Sequence, residues 1–320
     1  MNQKIYPELD VLCVGMITSD VMLKPVDPSI FSVDKTHLTN LTYSVGGDAA
    51  NQSVIFAKLG NRTGIAATPG DDDAGVNVRR YLEQYGVNTD NCVVIPGSRT
   101  RTSFVLIHSD GERNLLGYTI NCGKLSKDVL DLGQLDHTRM ISVGSIFSYD
   151  TLDAYLPEYL AEAQKRGVIT AADTMSNMNH VPLSDLAGIL AHLDYFTPSY
   201  VEAQDLTKKD DPDEQADVFF SMGVKNVVIK LGTDGCLIRN AKERYHLPII
   251  PTECIDTTGA GDNFVAGFLT GILKGWDLKK SGTFATAVGS IAIREVGANS
   301  SLKNYDQVIE VLKEAGRYWE

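Results

Sequence analysis

The segment from Asp256 to Asp262, Asp-Thr-Thr-Gly-Ala-Gly-Asp, contains the residues whose types and spacing best suit chemistry. Gly259, Ala260 and Gly261 carry almost no side chain, so a ligand can approach the backbone, and the pattern after them predicts a helix. The unpaired N–H groups and positive dipole end of that helix would form an anion hole. Asp262 beside the hole suits a base that takes a proton from a hydroxyl attacking phosphorus. The motif indicates phosphoryl transfer, although an aspartate that only caps a helix also fits.

A second group of polar residues lies in the first half of the chain. Gly46 and Gly47 permit a sharp turn and close ligand approach, while Asp48 and Asn51 place short polar side chains in the first turn of a predicted helix. Asp20 follows the first predicted strand at its carboxyl end, where open α/β sheets bind ligands. Its two carboxylate oxygens suit two adjacent hydroxyls, although a loop aspartate is also common in ordinary turns.

Other phosphate-binding loops fail on spacing. The dinucleotide pattern G-x-G-x-x-G is missing, because Phe264 stands where the third glycine is required. Residues 117–125 come nearest to a P-loop, but five residues rather than four precede Gly123-Lys124, and Leu125 replaces the hydroxyl that should hold magnesium. The sequence therefore argues against a P-loop kinase.

The composition is typical of a globular enzyme. The 320 residues are 43% hydrophobic and 22% charged, enough for one large α/β domain or two smaller ones. The formal charge of −12 argues against nucleic acid or an anionic membrane as a partner. The five cysteines show no C-x-x-C spacing and no segment is long enough to span a bilayer, so we expect buried free thiols in a cytoplasmic protein.

Short apolar segments alternate along the chain with segments of helical periodicity. This alternation predicts an α/β fold with a central, mostly parallel sheet covered by helices on both faces. The predicted strands are 10–15, 63–67, 140–143, 168–172, 195–197 and 226–231, with a further β-like stretch at 249–255. The predicted helices are 49–59, 74–85, 151–166, 213–222, 262–273, 278–294 and 305–315.

Two segments, 36–45 and 101–116, alternate in polarity without an intervening helix. They predict a small antiparallel sheet outside the main one, with a hairpin turn at Asp110-Gly111. A small sheet beside an α/β core suggests a lid over a cleft. We therefore expect one domain over residues 1–320, with a lid contributed by about 17–45 and 97–118.

Two motifs make the chain resemble the ribokinase-like (PfkB) family of carbohydrate and nucleoside kinases. The first combines Gly46-Gly47 and Asn51 with residues 57–60, Ala-Lys-Leu-Gly, and the second is the segment from Asp256 to Asp262. The resemblance covers nearly the whole chain and implies a ribokinase-like α/β fold with a β-sheet lid. It also implies that ATP with Mg²⁺ phosphorylates a hydroxyl, usually a primary one, of a sugar or nucleoside.

The resemblance implies particular roles at the two motifs. Asp262 matches the catalytic base, and the three small residues before it match the anion hole: Gly259, Ala260 and Gly261. Thr18 falls where ribokinases commonly have asparagine, and Asp48 falls where they often have lysine. The expected substrate-binding residues are Asp20, Thr18, Gly46, Gly47, Asp48 and Asn51.

For ATP, the resemblance points to the second half of the chain. Lys230 stands where many relatives have threonine, and its ammonium group either binds phosphate or only extends from a strand end. Glu202 matches the acidic residue that organises Mg²⁺ through water, and Ser199 stands in place of its usual asparagine partner. The expected ATP-binding residues are Lys230, Gly232, Thr233, Gly235, Ser199 and, on the helix that should pass the adenine, Thr286.

Some family members hold a monovalent cation beside the anion hole, and hard cations prefer oxygen ligands. The positions that match such a potassium site are Asp256, Thr258, Ala292, Gly297 and Ser301. Backbone carbonyls would be the ligands at Ala292 and Gly297. A polar loop without a metal ion would show the same residues.

The number of positively charged residues in the first half of the chain limits which substrates the site could bind. The first half offers too little positive charge for a phosphofructokinase substrate, which favours an uncharged sugar or nucleoside, and a ribose-like or fructose-like sugar is the expected acceptor. Arg113 either reaches the substrate from the lid or only solubilises the lid hairpin. Two alternatives stay open: a non-catalytic sugar-binding or regulatory protein, and a nucleoside kinase with Tyr43, Phe104 or Tyr118 against the base. The exposed lid edge, together with the resemblance, implies a homodimer formed through the lid.

Overall fold

The computed structural model describes residues 5–110, 112–146, 152–175 and 181–319. Gly111 of the expected hairpin turn and Thr151, where a helix was predicted to begin, lie outside these ranges. The strands are β1 (Val11–Val14), β2 (Thr18–Lys24), β3 (Asn40–Gly46), β4 (Thr63–Ala66), β5 (Thr102–Ile107), β6 (Arg113–Tyr118), β7 (Met140–Ile146), β8 (Ile169–Thr174), β9 (Tyr195–Phe196), β10 (Asn226–Lys230), β11 (Cys236–Asn240) and β12 (Arg244–Leu247).

The helices flank the larger of two sheets. In chain order they are α1 (Asp48–Lys58), α2 (Asp73–Gln84), α3 (Leu156–Lys165), α4 (Ala187–Leu190), α5 (Tyr200–Thr207), α6 (Pro212–Ser221), α7 (Ala260–Leu273), α8 (Leu278–Ala292) and α9 (Tyr305–Glu314). Among the described residues, no helix is both long and apolar enough to cross a membrane.

The larger sheet has eight strands in the order β12-β11-β10-β9-β8-β7-β1-β4. The strands from β10 to β4 run parallel to one another, and β11 and β12 add an antiparallel edge. In β1, Val11 and Cys13 join the core cluster under α1, α7, α8 and α9, whereas Leu12 and Val14 join the cluster under α3 to α6. Both faces of the sheet are therefore covered, and the predicted fold class is confirmed.

The smaller sheet has four strands in the order β3-β2-β5-β6. Two antiparallel pairs, β2–β3 and β5–β6, are joined by a parallel pair, β2–β5. Register places Asp20 opposite Ser103 on one face, which lines a cavity, and Val21 between Tyr43 and Phe104 on the other face. This small sheet, called the lid below, presents a polar row inward and an apolar row outward.

Several features differ from the sequence-based expectation. No strand was predicted at Thr18–Lys24, although the segment lies within the expected lid; it forms β2, because its residues pair with β3 and β5 inside that sheet. The hairpin of β11 and β12 and helix α5 were not predicted. Residues 249–255 form no strand, since Pro251 lacks a backbone donor.

Candidate active site

Two cavities adjoin at the loop between β12 and α7. The first has a volume of about 510 Å³ and lies under the lid, with Asp20, Ser103 and Arg113 in its wall. The second has a volume of about 390 Å³ and lies between the end of β10 and the helices α7 and α8. Cys254 and Thr257 line both cavities, so the two spaces meet beside this loop. Cys254 is accordingly exposed, unlike the buried thiol that was expected.

The three small residues of the expected anion hole lie at the start of α7. Gly259 is the N-cap residue, with a left-handed φ of 72°, and a β-carbon there would come within 2.6 Å of Ala298. Glycine is therefore required at this turn. Ala260 donates its N–H to Thr257 O at 3.2 Å, whereas Gly261 lies in the first turn, where N–H groups have no intrahelical acceptor. The turn can accept negative charge from a ligand.

Asp262 lies in the first turn of α7 and is held by two amides of α1. Asn51 donates from Nδ2 to Oδ2 at 2.9 Å, and Gln52 donates from Nε2 to Oδ1 at 3.3 Å. The Ser142 hydroxyl of β7 donates to the side-chain oxygen Oε1 of Gln52 at 2.9 Å, and this bond fixes the orientation of the Gln52 amide. Sequence reasoning missed Gln52, because a buried helix glutamine shows no motif of its own.

The burial of Asp262 changes its pKa in the direction that suits a base. Burial raises its pKa above the ordinary aspartate value, and hydrogen bonds from Asn51 and Gln52 and the charge of Lys230 oppose this shift without cancelling it. A carboxylate with a raised pKa accepts a proton more readily than one exposed to water.

Asp20 lies on β2 with its carboxylate toward the first cavity. Thr18 donates to Asp20 Oδ1 at 2.9 Å, and a β-carbon on Gly46 would collide with the other carboxylate oxygen. Gly47, with φ 89°, would bring a β-carbon within 2.5 Å of the Met16 carbonyl oxygen. The structure therefore gathers Asp20, Thr18, Gly46, Gly47 and Asn51 around one cavity.

Asp48 does not line that cavity, so its expected role in substrate binding is not supported. Its carboxylate turns toward the sheet, accepts the N–H groups of Met16 and Ala49, and packs against Gly144. Burial, together with the negative charge of Asp262, raises the pKa of Asp48 to about 8. The Ala49 N–H lies in the first turn of α1, where backbone N–H groups need acceptors, and this contact turns the side chain inward.

The second cavity is lined by most of the residues expected to bind ATP. They are Lys230, Gly232, Thr233, Gly235 and Thr286. Ile249, Ile250 and Ile293 give the cavity an apolar wall suited to a flat aromatic base. Gly261 lines the same cavity, so a phosphate chain lying here would reach the start of α7.

Ser199 is not in that wall and has a structural contact instead. It caps α5 in a reciprocal arrangement with Glu202: Ser199 N donates to Glu202 Oε2 at 2.7 Å, and Glu202 N donates to Ser199 Oγ at 3.3 Å. One oxygen of Glu202 is thus used by the cap. The second carboxylate oxygen of Glu202 could accept a hydrogen bond from a water bound to magnesium. Mg²⁺ usually keeps several waters and takes its remaining ligands from phosphates.

Lys230 forms a buried ion pair that the sequence did not reveal. Its Nζ donates to the Asp173 carboxylate at 2.7 and 2.9 Å, with Lys230 14% exposed and Asp173 7% exposed. Burial lowers the pKa of Lys230, but the charges of Asp173, Glu202 and Asp262 raise it by more. The ammonium form is therefore maintained, and it lies close to Gly261, where a β-carbon would be 3.5 Å from Nζ.

The residues expected to bind potassium lie near one another but are already bonded. Gly297 N donates to Asp256 Oδ2 at 3.0 Å, and Ser301 Oγ donates to Ala292 O at 3.1 Å. Thr258 donates to Asp256 through both its N–H and its hydroxyl. No three acidic, histidine or cysteine side chains of the described part of the chain are placed to hold a metal ion together.

Comparisons with known proteins agree with this geometry. Residues 8–304 match the model of the pfkB family carbohydrate kinases. The ATP-dependent 6-phosphofructokinase of Thermoanaerobacterium thermosaccharolyticum is 27% identical over 82% of this chain and 83% of its own length. The ribokinase of Haemophilus influenzae is 26% identical over 87% of this chain and 91% of its own length. The crystal structure of ribokinase from Thermotoga maritima superimposes with a TM-score of 0.80 at 25% identity, covering 95% of this chain and 99% of that one.

The chain belongs to the pfkB family, and it is a carbohydrate kinase of that family. Its named relatives include sugar kinases and nucleoside kinases. Because relatives at similar identity act on different substrates, their names do not select the acceptor for this chain. ATP and Mg²⁺ are consistent with the family.

Proposed function

We propose that this kinase transfers the γ-phosphoryl group of ATP to a hydroxymethyl group of an uncharged sugar. The observation that carries the proposal is the position of Asp262. Its neighbour Gly261 lines the second cavity, and its hydrogen-bond partner Asn51 lines the first. The carboxylate therefore lies between a space suited to ATP and a space suited to a sugar.

In the proposed reaction, Asp20 accepts hydrogen bonds from sugar hydroxyls and orients the ring. Asp262 takes the proton of the reacting hydroxyl as its oxygen bonds to the γ-phosphorus, and the bond between that phosphorus and the ADP oxygen breaks. The N–H group of Gly261, which has no intrahelical acceptor, and the positive dipole end of α7 stabilise the negative charge of the transferring group. Lys230 adds a fixed positive charge beside Gly261. The products are ADP and a sugar phosphate.

Magnesium would be held mainly by the ATP phosphates, with Glu202 contacting one of its waters. When bound, the ion neutralises phosphate charge. We place it on this side of the cavity because the charge of Glu202 acts on both Lys230 and Asp262. Removal of Mg²⁺ with a chelator should therefore abolish transfer.

The lining of the first cavity favours an uncharged sugar over a sugar phosphate. Among its described lining residues, Arg113 is the only cation, and it is already paired with Asp256 at 2.8 Å. Asp20 and Glu112 add negative charge to the wall. A phosphate group would meet net repulsion here.

The same lining argues against a nucleoside. No aromatic side chain is among the described residues that line the first cavity. Tyr43 and Phe104, two of the expected partners of a base, lie on the outward row of the lid. Stacking, which usually holds a base in a protein site, is therefore not available from these residues.

A panel of acceptors tests the proposal. Purified protein would be incubated with MgATP and pentoses, hexoses, amino sugars, nucleosides or fructose 6-phosphate, and ADP formation would be measured. We expect the highest kcat/KM for an uncharged sugar, and none for its analogue that lacks the oxygen of the hydroxymethyl group. A preference for a nucleoside or a sugar phosphate would contradict the proposal.

Replacing Asp20 with alanine is expected to raise the KM for the sugar by about tenfold to a hundredfold, because hydrogen bonds to a charged group are lost. The KM for ATP should stay within about twofold, since Asp20 does not line the second cavity. Steady-state kinetics with each substrate varied in turn gives both values. Asp34→Ala, an exposed change, is the matched control, and an equal loss of ATP affinity in Asp20→Ala would show that the two half-sites are not separate.

The pH profile follows from the raised pKa of Asp262. The base works in its ionised form, so kcat should fall as the pH drops through that pKa, with a midpoint above the ordinary aspartate value of about 4. The charges of Lys230 and Glu202 act on the same carboxylate in opposite directions, since Lys230 lowers its pKa and Glu202 raises it. The measurement is kcat at saturating MgATP across the acid range, with the melting temperature at each pH as a control for unfolding. A midpoint at or below the ordinary value would contradict Asp262 as a buried base.

We also propose that the lid forms a homodimer. Its outward row runs Tyr43, Val21, Phe104 and Leu116 across the four strands, with Tyr43 71% and Leu116 56% exposed. A contiguous apolar row on a small sheet suits burial against a second copy. Sedimentation velocity would distinguish this dimer from the 34.9 kDa monomer.

A further inference from the structure

One residue of the lid is bonded directly to the loop that precedes the anion hole. Arg113, the first residue of β6, donates from Nη1 to Asp256 Oδ1 at 2.8 Å and also contacts Thr258 Oγ1. The two partners are 143 residues apart in sequence, so the contact joins the lid to the main domain. Asp256 is 11% exposed and Arg113 40% exposed.

This contact completes the acceptor capacity of one oxygen of Asp256. Oδ1 accepts from Arg113, from Thr258 N at 3.0 Å and from Thr258 Oγ1 at 2.7 Å, while Oδ2 accepts from Gly297 N at 3.0 Å. Each oxygen of an ionised carboxylate has about two lone-pair sites, so Oδ1 has no site left for a metal ion. A monovalent metal ion at Oδ2 would lie near a guanidinium group of the same charge.

The guanidinium group also reaches a second residue that was expected to bind potassium. Arg113 contacts the Thr258 hydroxyl, while the Ser301 hydroxyl donates to the Ala292 carbonyl oxygen. The side of the loop on which a potassium ion was expected therefore already holds a positive charge. The loop carries a positive charge from a side chain of the same protein, the guanidinium group of Arg113.

We propose that the guanidinium group of Arg113 replaces a monovalent cation at this loop, which makes the kinase independent of potassium. The inference rests on the proposed function, because it assigns the guanidinium a task beside the anion hole. An unneutralised Asp256, three residues before Gly259, would repel the transferring phosphoryl group. Arg113 offsets that charge and holds the Thr258 hydroxyl, so the glycine turn stays in place.

Because the positive charge belongs to a side chain of the lid, its position depends on the position of the lid, unlike that of a free ion. Arg113 belongs to the lid and also lines the sugar cavity. The loop is therefore completed only when the lid lies over that cavity. Arg113 is a positioning residue in this scheme, since it acts through Asp256 and the loop.

The test compares the wild-type protein with Arg113→Met in potassium, sodium and tetramethylammonium chloride at equal ionic strength. The kcat of the wild type should differ by less than about twofold among the three salts. Its melting temperature should be the same in all three within experimental error. Arg113→Met should lose about tenfold or more in kcat in tetramethylammonium, because a charged hydrogen bond is removed. Potassium should restore part of that rate and raise the melting temperature of the variant, since it can occupy the vacated side of Asp256.

Lys24→Met, which removes an exposed lid charge at the end of β2, is the matched control and should behave as the wild type. Three results would each overturn the inference: potassium activation of the wild type by about fivefold or more, an unchanged kcat in Arg113→Met, or a slow Arg113→Met that responds to no cation. Melting temperatures need no acceptor sugar. They therefore report on the cation site even if the acceptor panel fails and the proposed reaction is wrong.

Discussion

Asp262→Asn is expected to lower kcat by about three orders of magnitude while the protein still folds and binds both ligands. Asparagine keeps the shape of the side chain but cannot take the proton of the attacking hydroxyl. The new amide keeps one oxygen that can accept from Asn51 or Gln52, so part of the contact with α1 is retained. Little change in the KM of either substrate is expected.

The measurement for Asp262→Asn is steady-state kcat, together with the rise in melting temperature on adding MgATP and sugar. An unchanged rise shows that the ligands still bind, so any loss of rate belongs to the chemical step. Asp205→Asn on α5, where the side chain is 42% exposed and remote from both cavities, serves as the control for mutating an aspartate. A kcat for Asp262→Asn within tenfold of the wild type would rule out this residue as the base.

Lys230→Met should have the second largest effect, on both rate and stability. Loss of the ammonium group beside Gly261 should lower kcat by about a hundredfold, because a fixed charge near the transferring phosphoryl group is removed. Asp173 would be left buried and unpaired, which typically costs about 3–5 kcal/mol of unfolding free energy. Kinetics and chemical denaturation measure the two effects separately.

A second variant divides these two effects. In Lys230→Met with Asp173→Asn, the buried charge is gone, and the asparagine oxygen can still accept the Thr174 N–H that Asp173 accepts at 2.9 Å. We expect this double variant to regain most of the stability but not the rate. Recovery of the rate along with the stability would mean that Lys230 only supports the fold.

The parallel core of the fold could be predicted from sequence because its strands are buried on both faces. The segments that became β1, β4, β7 and β10 are short and mostly apolar, a composition typical of strands buried in a parallel sheet. Strand β2 escaped prediction, since Thr18, Asp20 and the apolar residues around them follow no clean alternation. Its pattern makes sense only when the cavity on one side and the outward row on the other are known.

The motif residues of the site were also accessible from sequence, and their partners were not. The segment from Asp256 to Asp262 suggested a base and an anion hole through local spacing alone. Gln52, Asp173 and the contact of Arg113 with Asp256 depend on how distant elements pack. Such pairs leave no trace in local spacing, because either member would look ordinary beside its own neighbours.

Asp48 and Glu202 show the opposite case, in which a motif position is used for structure. Asp48 accepts a backbone N–H of the first turn of α1, and Glu202 completes the cap of α5 with Ser199. Helix starts need acceptors for their first N–H groups, and a short acidic side chain supplies them. From sequence alone, such a residue cannot be distinguished from one that faces a ligand.

The most direct test of the central claim is a proton-coupled ³¹P NMR spectrum of the product formed from MgATP and the best acceptor of the panel. A phosphate ester on a hydroxymethyl group couples to two protons on the adjacent carbon. We therefore predict a triplet-like phosphorus signal that grows as ADP appears, and that is absent with Asp262→Asn over the same time. A doublet, which means transfer to a secondary hydroxyl, or a single line of inorganic phosphate would contradict the account.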